Sequence, residues 1–264
     1  MRKGFIFLVA FICLVLLSYT FIPFHYITPH YSIEKEPIGY HLTEGYMGLK
    51  VYEVRKVLNL SLEDIRYDDE TIEAIKNFQL ENDLEANGIV DLNTWLALGL
   101  NEKSWYDLEI YITPCLVDEK STYEERIQAM IDTAHEYIGT NYIVGASGKP
   151  QSGVDCSGLI MQVMYSVGLD PEPISPLRHV QSKYEYESYS LWKHKNIKHY
   201  SYKDRLPGDL VFFMNSKGKV NHVSLYIGNN QVVEATGNHG VVLNTLNEQR
   251  VKRIKCIGRL IDNK

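Results

Sequence analysis

Cysteine is scarce in this chain. Four thiols in 264 residues cannot build a disulfide scaffold, and Cys13, Cys115, Cys156 and Cys256 include no C-x2-C pair of the kind that marks a zinc site. Surplus positive charge is missing too. With 27 Lys+Arg against 33 Asp+Glu the net charge is −6, which excludes the diffuse basic surface that non-specific nucleic-acid binding requires. Proline (9) and glycine (18) are few and 45% of residues are apolar, so the chain is neither collagenous nor low-complexity. What remains is a globular protein at the size where one core begins to divide into two.

One long apolar run is present, at the N-terminus. Met1-Arg2-Lys3 precedes thirteen unbroken apolar residues, Phe5 to Leu17, and apolar character continues to Phe24. As a helix, residues 5–24 would span about 30 Å, enough for a bilayer core. Two cations lie before the run, and Glu34 and Glu36 outnumber Lys35 after it, so residues 1–24 are expected to be a transmembrane signal anchor with the C-terminal bulk outside the cytoplasm. The alternative is a cleaved signal peptide and a secreted protein, but no A-x-A-like site follows the run.

Residues 25–44, with Pro29 and Pro37 and no apolar period, read as a stalk. Within residues 45–100, three short helices are expected. The first carries Val51, Val54, Val57 and Leu58; the second, capped at Asp69 or its neighbour, carries Ile72, Ile75, Phe78 and Leu80; the third follows Asp91 with Trp95, Leu96 and Leu98. Gly45-x-x-Gly48-x-x-Val51, Thr71-x-x-Ala74-Ile75-x-x-Phe78-Gln79 and Gly88-Ile89-Val90-Asp91-x-x-Thr94-Trp95-x-x-Leu98 resemble the peptidoglycan-binding domain found beside bacterial wall hydrolases. The resemblance departs at Arg55, where that family usually has Gln, and at Asp68-Asp69-Glu70, where it usually has Gly.

A linker over 101–120 leads into a second domain, 121–264. Ser121-Thr122-Tyr123-Glu124 reads as a capping box that opens a helix. Gly153-Val154-Asp155-Cys156-Ser157-Gly158 then runs into Leu159, Ile160, Val163, Met164 and Val167 before a Gly168 stop, which sets Cys156 at a helix start. Unpaired N–H groups and the helix dipole there are expected to lower the thiol pKa, and glycines on both sides to admit a substrate backbone. Pro207-Gly208-Asp209 turns into a strand, and His222-Val223-Ser224-Leu225-Tyr226-Ile227 alternates as a half-buried strand with His222, Ser224 and Tyr226 on one face. If Gly228-Asn229-Asn230 is a three-residue loop, Glu234 lies opposite Ser224 and diagonal to His222. A two-residue Asn-Asn turn would shift the register by one and send Glu234 to the other face.

Tyr142-x-x-Gly145, Asp155-Cys156-Ser157-Gly158-Leu159, Pro176-Leu177-Arg178, Pro207-Gly208-Asp209-Leu210-Val211-Phe212-Phe213 and His222-Val223-Ser224-Leu225-Tyr226-Ile227-Gly228 together resemble the NlpC-like family of papain-fold cysteine peptidases. The resemblance implies an α+β fold in which a helical subdomain bearing the Cys packs on an antiparallel sheet bearing the His. It implies Cys156 as nucleophile, His222 as base and Glu234 as the orienter of His222, with His239 as a competing orienter. Tyr142 would line the oxyanion region, and Asp155 and Ser157 would hold the free amine of a peptidoglycan stem peptide. The activity implied is cleavage of the γ-D-glutamyl-diamino acid bond, with no metal or other cofactor and with peptidoglycan and a membrane as partners. The alternatives are a non-catalytic wall-binding protein and a hydrolase of the same fold acting on a different amide bond. The Tyr-, Lys- and Glu-rich tract 183–203 reads as a solvated insertion, and Cys115 and Cys256 flank the domain in a compartment that would permit a bridge.

Overall fold

A computed structural model describes residues 41–63, 66–106, 112–169 and 187–262. The expected anchor, most of the stalk and Pro176-Leu177-Arg178 lie outside the described residues. Among those described, no helix is long and apolar enough to cross a membrane.

Four short helices make up the N-terminal part: α1 (Leu49–Val57), α2 (Asp69–Glu81), α3 (Leu92–Ala97) and α4 (Glu102–Tyr106). Asp68 and Asp91 cap α2 and α3 by accepting from the Thr71 and Thr94 N–H groups. The helices close around Val51, Val54, Ile75, Val90, Trp95 and Trp105. Several details depart from the sequence expectation, among them that Leu80 and Leu96 are exposed. Leu42, assigned to the stalk, is buried and exchanges backbone hydrogen bonds with Val90, and the linker's Trp105 packs on Trp95 with ring centroids 5.2 Å apart. In α1, Val57 is exposed while Arg55 is buried, because the Arg55 guanidinium donates to Asp68, Glu70, Thr71 and the Arg66 carbonyl and its Nε to the Ser61 carbonyl. Arg55 is thus a structural cross-link between α1 and the start of α2.

The C-terminal part is α+β. Helices α5 (Tyr123–Glu136), α6 (Cys156–Tyr165) and α7 (Ser188–Lys193) precede a six-stranded antiparallel sheet, with a short α8 (Glu248–Val251) between its last two strands. The strands are β1 (Lys198–Tyr200), β2 (Leu210–Met214), β3 (Val220–Gly228), β4 (Gln231–Thr236), β5 (Gly240–Thr245) and β6 (Ile254–Arg259), in the order β1-β6-β2-β3-β4-β5. Alternation splits the sheet's side chains between two clusters: Phe212, Val223, Leu225 and Val233 pack with α5, α6 and α7, whereas Val211, Phe213, Tyr226 and Val232 pack with Leu246 and Val251 on the other face. The capping box of α5 is Thr122 with Glu125, one residue later than expected, because Ser121 bonds to Asp118 instead. The tract 183–203, where described, is not a solvated insertion. It supplies α7 and β1, with Leu191 and Ile197 in the core. Cys115 and Cys256 are unbridged.

The two parts are in contact. Ile143 and Ala146, from the loop before α6, belong to the apolar cluster of the helical part, and a side chain at Gly145 would meet Met47 and the Gly48 backbone. The other side of the same loop lies against α6: a Cβ on Gly158 would lie 1.9 Å from the Ala146 carbonyl oxygen, far inside van der Waals contact. Gly158 and Gly153, expected to open the way for a substrate backbone, are approached by the chain itself, Gly153 by the Ile143 side chain. Gly158→Ala is therefore expected to destabilise the full chain by about 1–3 kcal/mol, as overpacking in a close contact does. Urea unfolding of both proteins measures it, and unchanged stability would mean that the loop yields freely.

Candidate active site

The Asp155 carboxylate builds one half of the site. Its Oδ1 accepts from the Gly158 N–H at 2.7 Å and the Ser157 hydroxyl at 2.9 Å, capping α6, and its Oδ2 accepts from the Gly145 N–H at 2.8 Å. One side chain thus ties the start of α6 to the loop beneath it. Cys156 follows as the first residue of the helix, half-buried, with its sulfur accepting from the Val223 N–H. Tyr142 bridges to Val154 and has its hydroxyl near both Cys156 and Asp155.

The thiol does not behave as its helix position suggested. Burial pushes Cys156 up to about 12, the neighbouring Asp155 carboxylate pushes the same way, and the Val223 and Ser157 N–H groups oppose both without overcoming them. The helix start that was expected to lower the pKa already has an anion of its own, and it stands next to the sulfur. Tyr142 is also held up by burial and by the same two neighbours, so its hydroxyl keeps its proton.

The other half is the β3–β4 hairpin. The turn is Asn229-Asn230, both with positive φ (49° and 59°) as a two-residue type I′ turn requires. On regular pairing that turn would send Glu234 to the wrong face. Ile227, however, is an extra residue between the pairs Tyr226↔Val232 and Gly228↔Gln231, so the register beyond it runs Leu225↔Val233 and, one step on, Ser224 opposite Glu234. The bulge restores the face that the turn would have lost. Glu234, fully buried, accepts from His222 Nε2 at 2.6 Å on its Oε2. Because an ionised carboxylate only accepts, Nε2 carries the proton and the lone pair of the neutral ring lies on Nδ1.

Residues 139–259 match the "NlpC/P60 family", and residues 56–98 match the "Putative peptidoglycan binding domain". The C-terminal region resembles the NlpC/P60 family. Over 124 residues the chain is 31% identical to the probable endopeptidase NlpC homolog of Haemophilus influenzae, covering 46% of this chain and 56% of that one. Over 126 residues it is 32% identical to the murein DD-endopeptidase MepS/murein LD-carboxypeptidase of Escherichia coli, covering 47% and 57%. Over 135 residues it is 28% identical to the gamma-DL-glutamyl hydrolase of Bacillus subtilis, covering 51% and 29%. The chain spans a little over half the length of the first two relatives.

Within the matched region 139–259 the structure brings Cys156, Tyr142, Asp155 and Ser157 together around the start of α6, and His222 and Glu234 together on the hairpin. The His239 side chain makes no hydrogen bond to His222 or Glu234 among the described residues; it is exposed in the turn between β4 and β5. Two residues of the site were not anticipated. Asn244 of β5 donates to Glu234 Oε1 at 2.6 Å, and Arg250 of α8 donates to Glu234 Oε2 at 2.7 Å. The pairing Glu234↔Val242 shows that β4 and β5 form a second hairpin, which is the signal that would have led from Glu234 to Asn244, two residues along the same face.

Burial works most strongly against the Glu234 charge, but the hydrogen bonds from His222 and Arg250 and their charges outweigh it and hold the carboxyl at about 2, against a normal 4.5. Such a depressed group stabilises the fold fully above pH 4.5, and its contribution is lost as the pH falls toward 2; the difference corresponds to about 3 kcal/mol. Urea unfolding of the full chain between pH 7 and 2.5 should show stability falling more steeply below pH 4.5 than in Glu234→Gln. Parallel pH profiles would show that Glu234 is not the charged group.

Proposed function

We propose that this protein is a cell-wall hydrolase, a cysteine endopeptidase that cleaves the bond between γ-D-glutamate and the diamino acid of peptidoglycan stem peptides. The observation that carries the reading is the commitment of His222 Nε2 to Glu234, which reserves the Nδ1 lone pair for a proton from Cys156. With the thiol held protonated at rest, attack and proton transfer are coupled: the sulfur bonds to the γ-glutamyl carbonyl carbon as its proton passes to Nδ1. Tyr142 and the N–H groups at the start of α6 that Asp155 leaves open are the donors for the oxyanion. The carbon–nitrogen bond then breaks as His222 returns the proton to the departing amine. Water adds to the thioester, giving a proton to His222; the sulfur leaves and is reprotonated.

Asp155 and Ser157 form the acidic corner for the stem peptide's free amine. The helical part, through its match to peptidoglycan-binding domains, is read as the wall-binding module, and the apolar run of residues 1–24 as a single-pass anchor that keeps both parts outside the membrane, facing the wall. Similarity to an enzyme named for γ-DL-glutamyl hydrolysis favours one second reading, the same chemistry on a different γ-glutamyl polymer. The full chain in detergent, incubated separately with purified muropeptides and with poly-γ-glutamate, distinguishes the two by product mass. The expected result is scission after γ-D-glutamate in the muropeptide, with turnover at least about a thousandfold lower in Cys156→Ala. Undiminished turnover in that variant would overturn the mechanism.

A further inference from the structure

The Glu234 carboxylate poses an electrostatic problem. A full negative charge 2.6 Å from the imidazole, buried away from water, favours imidazolium over neutral imidazole, and an imidazolium has no lone pair with which to take the Cys156 proton. A ring held in that way would keep its proton to a higher pH than one with a neutral orienter.

Arg250 lies where it can relieve this. Its guanidinium donates at 2.7 Å to Oε2, the same oxygen that receives His222. Asn244, which brings no charge, takes the other oxygen. Among the described residues the Arg250 guanidinium donates to Glu234 alone, and its Nε is buried with no partner. Leaving a buried donor unsatisfied costs stability, so the conformation is held by the carboxylate and by packing: Arg250 Cζ lies 5.0 Å from the centroid of Phe213, whose ring is 5.5 Å from that of His222. Asn247 caps α8 by accepting from the Arg250 N–H, which fixes the helix that carries the side chain. The charged groups on the ring's hairpin side are Glu234 from β4 and, across Glu234, Arg250 from α8; Phe213 of β2 and Asn244 of β5 are uncharged, and Cys156 of α6 accepts from the N–H of Val223, the residue after His222 in β3.

We propose that Arg250 is a positioning residue of the active site: by sharing Glu234 Oε2 with His222 it turns a carboxylate orienter into a nearly neutral one, so that the ring keeps its orientation yet releases its proton at the pH where the enzyme works. The proposal rests on the reading of His222 as the base, and the carboxylate sets the geometry while the guanidinium sets the charge.

The test compares the full chain with Arg250→Met, Arg250→Lys and the double variant Glu234→Gln/Arg250→Met. In Arg250→Met the acid limb of the kcat/KM profile on muropeptides is expected to move up by about one pH unit, a tenfold loss on the acid side, with the alkaline plateau within about threefold of the parent. Arg250→Lys keeps the charge and should restore the limb, and the double variant, having neither charge, should bring it back toward the parent. An imidazole NMR titration of His222 in the same proteins reads the same shift without turnover, so a chain inactive on every wall substrate would defeat the hydrolase reading while leaving the proposal testable. A uniform loss at all pH values, with no movement of the limb or of the His222 titration, would overturn the proposal and leave Arg250 a packing residue.

Discussion

Burying the Glu234 carboxylate is the constraint that arranges one end of the sheet. An isolated charge in such a place would be strongly unfavourable, and it persists because three donors converge on two oxygens. Each donor comes from a different element: His222 from β3, Asn244 from β5 and Arg250 from α8. Forming the site therefore requires both hairpins in register and the short helix docked beside β2. The bulge at Ile227 belongs to the same requirement, since without it the carboxylate would face the helices and have none of these partners. Fold and site are held by one set of bonds here, so a slip in pairing would be penalised by the loss of a compensated charge as well as of apolar contacts.

A second carboxylate does the corresponding work on the helical side. Asp155 caps α6 and holds the Gly145 N–H, and the loop containing Gly145 is also the surface on which the N-terminal helices rest. Gln162, buried one turn and a half along α6, braces that loop further, donating to Ser147 and accepting from the Thr113 N–H and hydroxyl. The loop is consequently fixed from three directions: by α6, by the segment that joins the two parts, and by the helical part itself. A chain cut at residue 121 would expose Ile143 and Ala146 and lose Thr113, so the edge of the site is built partly by residues that sequence reasoning assigned to a linker.

Local signals carried much of this into the sequence. Asp155-Cys156-Ser157-Gly158 followed by an apolar run and a glycine stop is legible as a helix start, because capping and termination depend on residues within one turn. Alternation in β3 identified the face of His222 for the same reason. The face of Glu234 was left open between two registers, and the rule relating turn length to register pointed the wrong way once the Asn229-Asn230 turn was recognised; a bulge has no marker in an apolar strand such as Tyr226-Ile227. Arg250 was illegible for a different reason. It lies sixteen residues beyond Glu234, past a whole strand, and only the tertiary fold makes them neighbours. Polar residues in apolar company misled in the helical part as well, where Arg55 displaced Val57 from the buried face because each guanidinium nitrogen finds an acceptor in place.

The charges on the two sides of the cleft follow one logic on the proposed reading. On the α6 side, burial and Asp155 keep the thiol protonated; on the hairpin side, Arg250 offsets Glu234 so that the imidazole can stay neutral. A preformed thiolate-imidazolium pair would need the opposite arrangement, a positive environment at the sulfur and an uncompensated carboxylate behind the ring. The site is thus organised for proton transfer in concert with attack, and the nucleophile forms when a carbonyl carbon is present to receive it. On the same reading Asp155, whose own pKa burial raises, has two tasks: its carboxylate form holds the thiol protonated, and it is the group that a substrate's ammonium would meet. On that reading, binding of an amine at the corner would remove part of what keeps the thiol protonated, which would link recognition of a stem peptide's free terminus to activation of Cys156 through a single carboxylate.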